Sequence, residues 1–160
     1  MINSFSKSYA MTGWRVGYVL APADVMQAIV RLQENVVSCV NTAAQYGAYE
    51  ALTGTQEPLK QMIAEYAKRR ENLVHGINEI DKLSCLAPLG AFYAFPNITG
   101  TGLTSQEFSE QLLEAEHVVV VPGSGFGDAG EGFIRISYSA SEEIINEGLK
   151  RIRRFVESLD

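Results

Sequence analysis

Between Glu57 and about Ile80 the residues Leu59, Met62, Ile63, Tyr66, Leu73 and Ile77 recur on a helical period, interrupted only by Gly76. A stripe of that length predicts the longest helix of the chain, with a different texture on either side of it. Ahead of it, residues 14 to 20 read as a short apolar strand. Pro22-Ala23-Asp24 then opens a helix that carries Val25, Met26, Ile29, Val30 and Leu32 inward and runs to about Val37. A second helix, Thr42 to Leu52, has an unusually small face of Ala43, Ala44, Gly47 and Ala48, and Gly54 suits the C′ position after it. Behind the long helix, strand and helix alternate. Ala91 to Phe95, Val118 to Val121 and Phe133 to Tyr138 read as strands, and Thr104-Ser105-Gln106-Glu107 reads as a capping box opening a helix to about Glu114. Ser139-Ala140-Ser141-Glu142 offers a second box before a final helix whose inward stripe is Ile144, Ile145, Leu149, Ile152 and Val156. The expected class is α/β, and the later part, roughly 100 residues, is large enough for its own core.

Charge and cysteine usage remove several function classes. Lys and Arg total 13 against 19 Asp and Glu, a net charge of −6, with 46% hydrophobic residues, which suits an ordinary globular protein and no nucleic-acid partner. The basic runs Lys68-Arg69-Arg70 and Lys150-Arg151-Ile152-Arg153-Arg154 lie in helical patterns and read as solvated faces. No apolar stretch approaches the roughly 20 residues of a membrane helix, and Met1-Ile2-Asn3 does not resemble a signal peptide, so a cytoplasmic location without membrane attachment is expected. Cys39 and Cys85, with only His75 and His117 besides, show no metal-ligand spacing; the cysteines read as small buried or half-buried residues. Gly123-Ser124-Gly125-Phe126-Gly127 lacks a following Lys-Ser/Thr and leads to a strand, so it reads as a tight-turn loop and not as a phosphate cradle.

The chemistry-bearing segment is Ser4-Phe5-Ser6-Lys7-Ser8-Tyr9-Ala10-Met11-Thr12-Gly13-Trp14-Arg15-Val16-Gly17. A lysine amine condenses with the aldehyde of pyridoxal phosphate only when neutral, and a nearby fixed positive charge favours that neutral form. Arg15 supplies that charge together with a planar fork for a phosphate, Ser4 and Ser6 add hydroxyl donors, and Gly13 allows close approach or positive φ. Farther on, Arg135 sits between Ile134 and Ile136 in an apolar strand, where a charge needs a partner or a ligand.

Ser-x-Ser-Lys followed by Gly-x-Arg-Val-Gly closely resembles the attachment site of the class I/II (fold type I) pyridoxal-phosphate aminotransferases, aspartate-aminotransferase-like. Gly132-Phe133-Ile134-Arg135-Ile136-Ser137-Tyr138-Ser139 resembles the family's stretch that binds the substrate α-carboxylate. Pro88 to Pro96 and Val118 to Gly127 resemble two further landmarks, in the family's order, so the resemblance covers nearly the whole chain. It implies a partial PLP-transferase fold. Residues 1–60 would be a remnant of the large cofactor domain, joined by the long helix to a C-terminal small α/β domain, 61–160, with a short sheet packed by helices.

The implied activity is amino-group transfer between an amino acid and a 2-oxo acid. Lys7 would hold pyridoxal 5′-phosphate and act as the catalytic amine; Arg15 and Ser4, with Ser6, would bind the phosphate; Arg135 would orient the substrate carboxylate, with Gly90 and Tyr93 lining the substrate side. A PLP-dependent lyase or synthase on the same scaffold, or a catalytically inactive truncated domain, are the alternatives. A homodimer acting in amino-acid metabolism is implied. Family members are considerably longer, and the part ahead of the lysine supplies the carboxylate for the pyridinium nitrogen, a stacking ring and a phosphate-binding turn. None of these maps here. The resemblance therefore implies a C-terminal fragment, weakly active at best alone, whose first 55 residues expose apolar surface and are rearranged, disordered or paired with another chain.

Overall fold

A computed structural model describes residues 1–159; Asp160, the end of the expected second domain, lies outside them. The chain divides into two compact units, Met1–Met62 and a second beginning at Ile63.

The first unit opens with a hairpin. Strand β1 (Ile2–Ser4) pairs antiparallel with β2 (Gly17–Val19) in the register Ile2↔Val19, Asn3↔Tyr18, Ser4↔Gly17. A Cβ at Gly17 would stand 2.7 Å from the Asn3 carbonyl oxygen, so this pairing needs glycine there. The expected strand from residue 14 is shorter than predicted, because Thr12–Trp14 forms a 3-10 turn. Helix α1 (Ala23–Val36) has the predicted bounds within one residue, yet it buries no residue in this chain: Val25, Val30 and Leu32 are exposed. The predicted inward stripe is thus present as an apolar face without a core, as expected for the first 55 residues, but the segment itself holds defined elements.

Helix α2 (Thr42–Thr53) is capped by the Asn41 side chain, which accepts from the Ala44 N–H at 3.1 Å. Its small face has the predicted use. Ala44 and Ala48 are buried with Phe5, Met11 and Val16, and a Cβ at Gly47 would lie 3.2 Å from the Trp14 ring and 3.3 Å from the Met11 methyl. The lysine loop therefore rests directly on α2. Gly54 ends the helix as predicted, but at the C-cap and not at C′, in an extended conformation with φ −76°. Cys39 is exposed, contrary to expectation, whereas Cys85 in the second unit is buried and its thiol pKa is pushed up by that burial.

Helix α3 (Glu57–Asn78) contains the boundary between units, and Leu73 and Ile77 near its end are buried in the second core. That core centres on Ile77, Ile98, Phe108, Leu112 and Ile134, all fully buried. It is covered by α4 (Ser105–Glu116) and α5 (Glu142–Glu157), whose Phe108 and Phe155 rings meet edge to face at 5.2 Å. The sheet has the order β3 (Tyr93–Ala94), β5 (Ile134–Ser137), β4 (Val121–Pro122), both pairings antiparallel. All three of its strands are shorter than predicted, and Val118–Val120 varies from half-buried to exposed to buried without pairing in the sheet. In α5, Ile144 is exposed at 64%, and Phe155, which was not in the predicted stripe, is buried near the other end of the helix. The cap of α5 is Ser141, which accepts from the Ile144 N–H, and not the predicted Ser139. No helix of the described residues is long and apolar enough to cross a membrane.

The predicted capping box at Thr104 is complete, with the Thr104 hydroxyl accepting from the Glu107 N–H at 3.2 Å and Glu107 accepting from the Thr104 N–H at 2.9 Å. Thr104→Ala is expected to cost about 1 kcal/mol of stability, read as a lowered urea midpoint. Glu107, Glu131 and Glu116 are held below the ordinary carboxylate range, mainly by hydrogen bonds from Thr104, from Ser105 and from Arg154 respectively. A lowered folded-state pKa gives stability that is present above the unfolded value and lost as pH falls through the folded one. The melting temperature should therefore decline as pH drops below about 4.3, the unperturbed glutamate value, and a flat acid profile would contradict these assignments.

Candidate functional site

The site residues fall in two groups, one in each unit. The first is the loop that β1 and β2 close at the Ser4↔Gly17 pair, tied again by Phe5 N–H to the Val16 carbonyl at 3.3 Å. Within it, the Ser4 hydroxyl donates to the Ser6 hydroxyl at 2.9 Å, and the Ser6 N–H donates to Ser4 Oγ at 3.1 Å. The Thr12 hydroxyl donates to the Ser6 carbonyl at 3.0 Å, and Arg15 Nη1 donates to the Thr12 carbonyl at 3.0 Å. Ser4, Ser6, Thr12 and Arg15 thus form one hydrogen-bonded chain around the turn that carries Lys7, which is exposed. Phe5 anchors the loop from below, its ring 5.6 Å from Tyr9 and 5.5 Å from Tyr18.

The electrostatics of the loop are one-sided. It carries Lys7 and Arg15, and the first carboxylate in the sequence is Asp24, beyond β2. Exposed hydroxyls, a guanidinium and an amine on one short loop make a donor set suited to a phosphorylated aldehyde. Arg15 also borders a cleft of about 740 Å³, together with Gly13, Trp14 and Asn41. The backbone differs from expectation at one point. Gly13 sits in the 3-10 turn with open space around it, and the positive φ falls on Ala10 (53°) and on Arg15 itself (54°). Thr12, which sequence reasoning passed over, is the link between the serines and Arg15; its hydroxyl lies in the motif but its partners are set by the turn.

The second group lies on the sheet of the second unit. Along β5, Ile134 is fully buried, so Arg135 points to the opposite face, where it is half-buried. Tyr93 pairs with Ser137, two residues on from Arg135 on that same face, which puts its ring on the diagonal. The guanidinium carbon lies 4.4 Å from the Tyr93 ring centre and 4.8 Å from that of Phe126. Among the described residues no carboxylate pairs with Arg135. Two aromatic rings thus lie against the guanidinium. Phe126 was not singled out from the sequence; the available signal was that it is the only large residue among the glycines of that loop. Gly90 lies in an exposed bend ahead of β3, and the left-handed residue there is Ala91, φ 60°.

The chain thus carries an amine among hydroxyls and a guanidinium in one loop, and a second guanidinium on an antiparallel sheet. The family model for aminotransferase class I and II matches residues 1–152, and the chain belongs to that family, whose members use pyridoxal phosphate. Over 159 residues it is 43% identical to the aspartate aminotransferase of Pyrococcus horikoshii, covering 98% of this chain and 41% of the relative. It is 44% identical over 155 residues to aromatic-amino-acid aminotransferase 2 of Thermococcus litoralis, covering 96% of this chain and 40% of that protein. The crystal structure of an aromatic aminotransferase from Pyrococcus horikoshii superposes with a TM-score of 0.94 at 43% identity, covering 98% of this chain and 42% of that one. The chain thus spans about 40% of its relatives' length.

Proposed function

We propose that this chain carries the lysine and substrate-arginine part of a pyridoxal-phosphate-dependent aminotransferase that moves an amino group between an amino acid and a 2-oxo acid. The observation that supports the reading is the hairpin loop in which Lys7 stands among Ser4, Ser6 and Arg15 with no carboxylate nearby in sequence. The first unit is read as part of the family's large domain and the second as its small one.

When bound, pyridoxal phosphate supplies an electron-withdrawing ring that makes the substrate Cα–H acidic. The rest falls to this chain's own residues. Lys7 Nζ would hold the cofactor at its aldehyde carbon, and the free amine would take the proton from the substrate Cα. The Ser4 and Ser6 hydroxyls and the Arg15 guanidinium bind the phosphate, with Arg15 staying charged at any working pH. Arg135, with the Tyr93 and Phe126 rings against it, binds the substrate carboxylate with its two-pronged edge, and Tyr93 and Gly90 border the substrate.

Reduction with borohydride in the presence of pyridoxal phosphate tests this directly. Peptide mass mapping is expected to find the label on Lys7. Labelling spread evenly over Lys60, Lys68, Lys82 and Lys150, or none at all, would refute the assignment.

A further inference from the structure

In the second unit the carboxylate of Glu131 gathers three donors. Its Oε1 accepts from the backbone N–H groups of Ser105 at 2.7 Å and Gly132 at 3.0 Å, and its Oε2 accepts from the Ser105 hydroxyl at 2.8 Å. Ser105 is fully buried at the first position of α4. Its Oγ also lies 3.1 Å from Ser124 Oγ and 3.3 Å from the Ser124 backbone nitrogen. A hydroxyl has one proton to give and two lone pairs to receive. The shorter, charge-assisted bond to the carboxylate takes that proton, so Ser124 must be the donor, with both its hydroxyl and its N–H. The result is a directed relay, Ser124 to Ser105 to Glu131, that pins the 3-10 turn Gly123–Phe126 to the start of α4.

Phe126 is the last residue of that turn. It is 53% exposed, so its position against Arg135 depends on the turn more than on burial. Its neighbours are the Phe95 ring, 6.0 Å away and perpendicular, and the Arg135 guanidinium.

We propose that Ser105 and Glu131 are positioning residues for substrate binding: their relay to Ser124 fixes the turn that holds the Phe126 ring on the face of Arg135. This rests on the reading of Arg135 as the carboxylate-binding group. Neither residue touches the substrate in this scheme. They act by keeping the Phe126 ring against the guanidinium that also meets Tyr93, so that its fork is held in place when a carboxylate arrives.

The test is the Nε–Hε signal of Arg135 in nitrogen-15 NMR of the full chain, assigned by its disappearance in Arg135→Lys. Ring currents from Phe126 and Tyr93 should move it upfield of an exposed arginine, and Phe126→Ala marks the position reached when one ring is gone. Ser105→Ala keeps the backbone bonds to Glu131, so α4 remains held while its side-chain link to Ser124 is cut; its Arg135 signal should move to the Phe126→Ala position. Glu131→Ala should shift it part of the way, and Glu131→Gln, whose amide can reverse the relay's direction without breaking it, should restore the wild-type position. An Arg135 signal left at its wild-type position in either alanine variant overturns the proposal.

Titration with 2-oxoglutarate separates the two claims. In the wild-type chain the Arg135 signal should respond, and the alanine variants should bind about two- to thirtyfold more weakly, the range one guanidinium–ring contact is worth. No response of Arg135 in the wild-type chain refutes its carboxylate role, and the signal position without ligand still decides whether the relay fixes the ring.

Discussion

Lys7→Ala is expected to abolish the borohydride-stable label in the hairpin loop and to lower amino-group transfer by about 10²–10⁴-fold, the usual worth of a positioned proton-transferring side chain. The magnitude follows from the loop's construction. Ser4, Ser6 and Arg15 remain in their hydrogen-bonded chain when the lysine is cut back, so phosphate binding should survive while the amine is lost. Equilibrium dialysis with pyridoxal phosphate and a transfer assay on the same sample separate the two contributions. A variant that retains transfer, or that loses phosphate binding as completely as Arg15→Ala, would show that Lys7 serves the loop's structure and not its chemistry.

The largest stability effect is expected at Phe108. It is fully buried on α4, with its ring edge to face against Phe155 of α5 at 5.2 Å, and Ile77, Ile98, Leu112 and Ile134 belong to the same core. Phe108→Ala removes the ring and leaves a cavity between two helices that can close only by moving apart from the sheet. About 3–5 kcal/mol should be lost, measured as a shift of the urea midpoint followed by far-ultraviolet circular dichroism. A loss under about 1 kcal/mol would mean that the helices repack freely, contrary to close-packed interiors in general.

The helices were legible from the sequence because their signals are local. Thr104 and the apolar repeat of α1 sit within one or two turns of the ends they define, and α1 departs from its predicted bounds by a single residue. The strands were less so. An extended segment such as Val118–Val121 shows alternation whether or not a neighbour pairs with it, and the neighbour of β4 is β5, separated by the glycine loop. Ile144 was misplaced because two apolar residues stand side by side at the start of α5, and the helix turns Ile145, not Ile144, to the core.

The chemical groups were legible in part. Lys7, Arg15, Ser4 and Ser6 share one contiguous motif, and the loop brings the hydroxyls and Arg15 together through Thr12. Tyr93 and Arg135 stand far apart in sequence, and only the β3–β5 register puts them on one diagonal. Phe126, Ser105 and Glu131 could not be found this way. Their roles depend on a loop folding back against the first turn of a helix, a contact that neither periodicity nor motif spacing encodes.

The left-handed backbone at Arg15, φ 54°, would set stability against the phosphate binding proposed for it at a single position. Non-glycine residues in that conformation are strained by about 1 kcal/mol, a cost that glycine avoids. Arg15→Gly would relax the chain and erase the guanidinium in one step. Variants selected only for a better-folding chain would therefore drift toward glycine here, and those selected for phosphate retention would keep arginine at its energetic cost.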